Sequence, residues 1–205
     1  DLPDGVKQLT PGGIIIASGS GGGTPEPEGY LVDPTGCSWQ QVGLAGFSAG
    51  TSDWNSLQVY NGVPYIAYRD GGNSNKATVM RYNGSSWELV GTAGFSVGAV
   101  DRTTLQIYNG TPYVAYQDGA NSNKATVMRY NGSSWELVGT AGFSSGTAGY
   151  ISLFIYNGTL YVAYQDGANS SKATVMRYNG SSWELVGTAG FSSGMAGYIS
   201  LYVYN

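Results

Sequence analysis

The feature that most constrains this chain is a repeat of 48 residues. Tyr-Asn-Gly begins at Tyr60, Tyr108 and Tyr156, and Trp39, Trp87, Trp135 and Trp183 keep the same interval. The stretches Ile107 to Phe154 and Ile155 to Tyr202 differ only at Pro112/Leu160, Asn123/Ser171, Thr147/Met195 and Phe154/Tyr202. Self-similarity at this period marks a propeller or a solenoid, in which each unit leans on its neighbours to bury a core. The first copy is degenerate: Ile15, Ile16 and Ala17 stand 50 residues ahead of Tyr65, Ile66 and Ala67, with the two additional residues near Gly21 to Gly29.

Within a repeat, four short stretches rich in Tyr, Val, Ile and Trp read as strands. In the last copy they are Ile151 to Tyr156, Leu160 to Gln165, Ala173 to Tyr178 and Trp183 to Val186. Between them stand Asn157-Gly158, Asp166-Gly167-Ala168-Asn169 and Asn179-Gly180-Ser181-Ser182, which supply the positive φ of tight turns. A longer Gly/Ser/Ala connector, Gly139 to Gly149, leads onward. No stretch has useful helical periodicity. The fold expected is all-β, a propeller-like array of about four four-stranded antiparallel blades. It forms a single domain over 1–205, with repeats near 8–57, 58–105, 106–153 and 154–201 and a terminal strand at 199–205.

The register follows from the turns. A turn at Asn83 to Ser86 sets Tyr82 opposite Trp87 and Arg81 opposite Glu88, repeated at Arg129/Glu136 and Arg177/Glu184. Such charge suits an outermost strand, where it discourages pairing with other chains. Strand parity sends the Asn-Gly and Asn-Gly-Ser-Ser turns to one edge of the sheets and the Asp-Gly-Ala-Asn loops and crossovers to the other. Long loops on a rigid scaffold are where recognition gathers, so the second edge is the candidate functional face.

The run Thr111 to Trp135, TPYVAYQDGANSNKATVMRYNGSSW, resembles the tandem propeller-type repeats of large secreted and surface proteins of bacteria. The likeness covers roughly Gln8 to Asn205. It implies an extracellular or cell-surface β-propeller and no particular reaction. The chain starts without a signal peptide and stops inside what reads as a further first strand, as a processed chain or a fragment would.

Composition narrows the chemistry. With no histidine among 205 residues, His-based acid/base catalysis, Ser-His-Asp or Cys-His nucleophiles and ordinary zinc or copper sites are excluded. One cysteine, Cys37, allows no internal disulfide; in a turn, it reads as a free thiol or a crosslink to another chain. A net charge of −4 with nine Lys and Arg argues against nucleic acid, and no apolar run is long enough for membrane insertion.

The loops Asp70 to Asn75, Asp118 to Asn123 and Asp166 to Ser171 carry oxygen ligands, but one carboxylate each is too few for calcium; they read as self-capping turns, and neither metal nor cofactor is expected. Asp70, Asn73, Asp118, Asn121, Asp166 and Asn169 remain binding candidates, with Trp54 and Arg102 beside them. Asp53, Trp54, Asp101 and Arg102 fall in crossover loops and, with Arg69 and Cys37, break the repeat symmetry. The pairs Tyr65/Tyr68, Tyr113/Tyr116 and Tyr161/Tyr164 could present platforms for sugar rings, but members three apart lie on opposite faces, so at least one of each packs between blades, and packing is the role favoured for the set. Any such pockets repeat, and their affinity comes from multivalency.

The end of the chain raises a closure problem, because Val6 to Pro11 and Ile199 to Asn205 both align with a first strand. Ile199, Leu201, Tyr202, Val203 and Tyr204 form an assembly strand in this reading, pairing with copies of the chain or continuing a longer parent chain, in a ring or a filament. Identical repeats place the same residues everywhere, which argues against an active site. The sequence reading is therefore an extracellular, non-enzymatic module for binding or adhesion toward glycans or another surface, or else a structural subunit whose function is assembly.

Overall fold

The computed structural model describes residues 40–204, and the chain divides into two compact units, Asp1–Ala45 and Gly46–Asn205. Cys37, the degenerate first repeat and the proposed strand at Val6 to Pro11 lie outside the described residues. The second unit holds three four-stranded antiparallel sheets. These are β1 (Ser52–Tyr60) to β4 (Trp87–Leu89), β5 (Val100–Tyr108) to β8 (Trp135–Leu137), and β9 (Ala148–Tyr156) to β12 (Trp183–Leu185). The middle strands are β2 (Val63–Asp70), β3 (Lys76–Tyr82), β6 (Thr111–Asp118), β7 (Lys124–Tyr130), β10 (Thr159–Asp166) and β11 (Lys172–Tyr178). Each sheet is a meander in chain order, the blade connectivity expected from the turns. The sheets cut the 48-residue period ahead of the first strand, at 52, 100 and 148.

Register on the outer hairpin is as the turns dictate: Tyr82 faces Trp87, Arg81 faces Glu88 and Met80 faces Leu89. The inner strands run longer than their apolar runs. Residues 52–54, 100–102 and 148–150 belong to β1, β5 and β9, so Asp53, Trp54, Asp101 and Arg102 lie on strands and not in crossover loops. Continuation is possible because each inner strand is bulged, with register shifts between Asp53 and Ser56, between Asp101 and Thr104, and at the matching place in β9. The bulge residues Trp54, Arg102 and Tyr150 have φ of 52°, 54° and 47°, and Tyr198 has 50°. A left-handed backbone on a bulky residue carries a cost of about 1 to 3 kcal/mol, and such strain collects at functional sites.

The core lies between sheets. Alternation along β6 turns Val114 and Tyr116 toward the first sheet, where they join Leu105 and Met128 against the smaller Ala67, Ala77 and Val79. Its other face gives Ala115, with Ala125 and Val127, to the bulkier Leu153, Val162 and Tyr164 of the third sheet. A small-residue face thus receives a large-residue face at both junctions, which fills the interface without overpacking. Each fully covered aliphatic or aromatic side chain stabilises the fold by about 1.5 to 3 kcal/mol.

A tryptophan closes each junction. The Trp135 indole Nε1 donates to the Val90 carbonyl of the preceding blade at 2.8 Å, and its ring stacks on Phe95 at 4.1 Å; Trp183 repeats this with Val138 and Phe143. Only glycine fits beneath: a Cβ on Gly139, whose φ is +75°, would sit 3.0 Å from Trp183 Cδ1. At the chain end, 199–204 forms no strand, yet the segment lies beside β9 as β5 lies beside β1. Leu201 N donates to Ser152 Oγ at 2.9 Å, as Leu105 N does to Ser56 Oγ.

Candidate functional site

The aspartates of the Asp-Gly loops are built into the scaffold. Asp118 is buried at the end of β6; its Oδ1 accepts from Ala120 N at 3.0 Å, and its Oδ2 accepts from Asn121 Nδ2 at 2.9 Å and Thr126 Oγ1 at 2.8 Å. The Thr126 hydroxyl in turn accepts from Gly142 N. Asp70 and Asp166 repeat the arrangement with Asn73 and Thr78, and with Asn169 and Thr174. Each loop is a single 3₁₀ turn capped by its aspartate, and Ser74, Ser122 and Ser170 close it in the left-handed region. Asn73, Asn121 and Asn169 therefore hold the turn through their amides, with every carboxylate already engaged. Among the described residues no three acidic or sulfur side chains gather into a metal site.

The tyrosine pairs divide by face. Tyr68, Tyr116 and Tyr164 are 1% exposed between blades, with the Tyr68 and Tyr164 hydroxyls on the Met80 and Met176 sulfurs. Burial, with the Asp70 charge beside it, pushes the Tyr68 phenol up to about 12. Burial raises Tyr116 and Tyr164 likewise, helped by Asp118 and Asp166. Tyr65, Tyr113 and Tyr161 line clefts at the short-turn edge instead.

The residues that break the symmetry converge. Arg69 on β2 places its Nη1 3.3 Å from Asp101 Oδ1 and 3.9 Å from Asp53 Oδ2, joining the inner strands of two blades. Trp54 Nε1 donates to the same Asp101 oxygen at 3.2 Å. The Arg102 guanidinium lies over the Trp54 ring at 5.0 Å and the Tyr150 ring at 4.1 Å, and Tyr150 meets Tyr198 at 5.0 Å. Trp54, Arg102, Tyr150 and Tyr198, each 48 residues from the next, thus form one ladder across the inner strands. It borders a hollow of about 180 Å³ on the long-loop side. Arg102 makes no ion pair among the described residues, and Arg69 Nε is buried there without a partner.

Sequence reasoning marked Trp54, Arg69, Asp101 and Arg102 as exceptions to the repeat but did not bring them together, nor find Tyr150 and Tyr198. The signal was present as a 48-residue spacing from Trp54 through Arg102 to Tyr150 and Tyr198, hidden by the change of residue type at the first three positions. The terminal residues Tyr202 and Tyr204 are exposed, Tyr202 resting on Phe154 at 4.8 Å. Leu201 and Val203 are half-buried, as is Ile199, which borders the 180 Å³ hollow.

No protein-family model and no curated protein matches this chain. Similar solved structures include an ulvan lyase of polysaccharide lyase family 25 (15% identity, TM-score 0.49, covering 68% of this chain and 40% of that one). Others are an engineered family 43 glycoside hydrolase (15%, 0.48, 73% and 33%) and a family 117 glycoside hydrolase of the marine bacterium Zobellia galactanivorans (12%, 0.46, 70% and 58%). This chain spans well under two thirds of each. The likeness is one of fold, with propeller blades in common.

These neighbours are described as a polysaccharide lyase and glycoside hydrolases, which stands against the expectation of a non-enzymatic binding or adhesion module and its alternative of a self-assembling structural subunit, while the likeness itself is one of fold. The physical reason is plain. Absence of histidine removes imidazole chemistry only, whereas glycosidic bonds are cleaved by carboxylates. Repetition does not exclude an active site either, since the copies differ at the inner-strand bulges.

Proposed function

We propose that this chain is a carbohydrate-active propeller which acts on a glycosidic bond at the inner-strand cluster, with Asp53 and Asp101 as its carboxylate pair. One observation carries the reading: two carboxylates from successive blades share a single guanidinium beside an aromatic ladder. The 3.9 and 3.3 Å legs to Arg69 hold the two oxygens no more than about 7 Å apart, close enough for both carboxylates to reach one glycosidic bond. Side-chain exposures of 55% for Asp53 and 43% for Asp101 leave both open to a ligand.

Two donors orient Asp101, which takes the role of carboxylate base; the more loosely held Asp53 is the proton donor. In the cleavage, Asp53 gives its proton to the glycosidic oxygen as the C–O bond breaks. Asp101 accepts a proton from the attacking water, whose oxygen joins the anomeric carbon. Trp54 and Tyr198, both exposed, offer apolar faces to sugar rings. The resemblance to repeats of secreted bacterial proteins favours an extracellular setting, where polysaccharides are met.

The test is release of reducing ends from a panel of plant and algal polysaccharides. Asp101→Asn is expected to lower the rate by about a hundredfold or more at unchanged thermal stability. Failure to cleave any member of the panel, or an undiminished rate in Asp101→Asn, refutes the reading.

A further inference from the structure

We propose that the short-turn edge carries a second carbohydrate site, a groove across the three blades that takes an extended, uncharged polysaccharide one stretch per blade. It stands on observations separate from the inner-strand cluster. Between the first and second blades lies a cleft of about 650 Å³, and between the second and third one of about 660 Å³. Both fall in the range of roughly 300 to 1,000 Å³ typical of small-molecule sites. Their linings correspond at 48-residue spacing, and Tyr113 and Arg129 belong to both, so the clefts join into one groove.

The register builds its floor. Tyr65 pairs with Arg81, Tyr113 with Arg129 and Tyr161 with Arg177 across successive sheets, presenting a phenol beside a guanidinium once per blade. A ligand matched to this surface repeats along its length, as a polysaccharide does.

Charge selects the class. Each guanidinium is already faced by a carboxylate: Arg81 Nε donates to Glu88 at 2.6 Å, and Arg129 and Arg177 donate to Glu136 and Glu184 at 2.7 Å. Asn83, Asn131 and Asn179 donate to the second oxygen of the same glutamates at 3.1 Å. The pairs cancel in charge, so a polyanion gains little here. Asn131, Asn179, Glu184 and the three guanidiniums line the clefts beside the tyrosines and suit sugar hydroxyls, which both donate and accept. Uncharged chains are the class that uses every group in the set.

The experiment is affinity electrophoresis and calorimetry on the full chain carrying Asp101→Asn, so that cleavage at the inner cluster, whether or not it occurs, does not enter. The probes are laminarin and arabinoxylan as uncharged polymers and alginate as a charged one. At least one uncharged polymer binds, and its two- or three-sugar fragments bind at least about tenfold more weakly, because they reach one cleft only. Arg129→Gln, which touches both clefts, lowers polymer affinity at least about tenfold. Raising salt from about 0.05 to 0.5 M changes affinity less than about twofold.

Should Arg129→Gln misfold, Tyr113→Phe with Tyr161→Phe removes two of the three floor hydroxyls while keeping the rings, and weakening in the same direction is expected. Binding of alginate alone, unchanged polymer affinity in the folded variants, or no binding by either uncharged probe overturns the groove. Complete loss on Trp54→Ala overturns it as well, by moving the site to the inner cluster.

Discussion

Replacing Asp118 with Ala tests whether the Asp-Gly loop holds its blade through the carboxylate. The substitution removes an acceptor for Ala120 N, Asn121 Nδ2 and Thr126 Oγ1. Hydrogen bonds to a charged acceptor are worth about 1.5 to 3 kcal/mol each, and a buried donor left unmatched costs about 1 to 3 kcal/mol. The three are not additive, because the Asn121 amide lies near solvent and the Thr126 hydroxyl keeps Gly142 N as a donor partner. A net loss of about 3 to 5 kcal/mol is expected.

With a urea dependence near 2 kcal/mol per molar, the midpoint then falls by about 2 M. Tryptophan fluorescence follows the transition, and hydrogen exchange at the amides of β6 and β7 locates the damage, since repeat proteins can unfold unit by unit. Asp118→Asn keeps the shape but turns an amide N–H₂ toward Asn121 or Thr126, both donors, and costs about 1 to 3 kcal/mol. A loss below about 1 kcal/mol in Asp118→Ala would show that the backbone bonds Asn123 N to Asp118 O and Gly119 N to Ala99 O suffice alone.

Other expected outcomes follow from the same packing. Gly139→Ala puts a methyl against Trp183 on a left-handed backbone and is expected to cost about 1 to 3 kcal/mol, read as a lowered melting temperature. Trp135→Phe keeps a ring on Phe95 but leaves the Val90 carbonyl without its indole donor, for a loss of about 1 to 3 kcal/mol in urea unfolding. In alkali, the raised phenols of Tyr68, Tyr116 and Tyr164 bind protons more tightly folded than unfolded. Their contribution is complete below the ordinary tyrosine value near 10 and is lost as pH climbs toward and past about 12. Phenolate absorbance is expected to show these three ionising only together with loss of the near-ultraviolet dichroism; their free titration before unfolding would contradict the packing.

Much of the architecture is legible in the sequence because the repeat states it several times. The Asn-Gly turns fix which residues oppose each other, and the Arg81/Glu88 pairing follows from the Asn83 turn alone. The spacing of Tyr113 and Tyr116 separates a cleft tyrosine from a core one. What escaped was non-local or non-glycine. Nothing in Trp54, Arg102 or Tyr150 announces a left-handed backbone, which sequence reading associates with Gly or Asn, so the sequence starts the inner strands late, at Ile151 in the last copy, and places Trp54 and Arg102 in loops. The Tyr82/Trp87 pairing across one hairpin follows from its turn and recurs at Tyr130/Trp135, while the bond of Trp135 to Val90, 45 residues away, carries no local signal.

The tryptophan closure also bears on how such a protein changes over generations. Trp183 meets Val138 in the way that Trp135 meets Val90, so a duplicated or deleted unit of one period finds matching partners on both flanks. Blade number is therefore a quantity that genetic slippage can adjust without new contacts having to be invented. The network of Arg69, Asp101 and Arg102 has no copy among the described blades, and there the molecule records which blade is which.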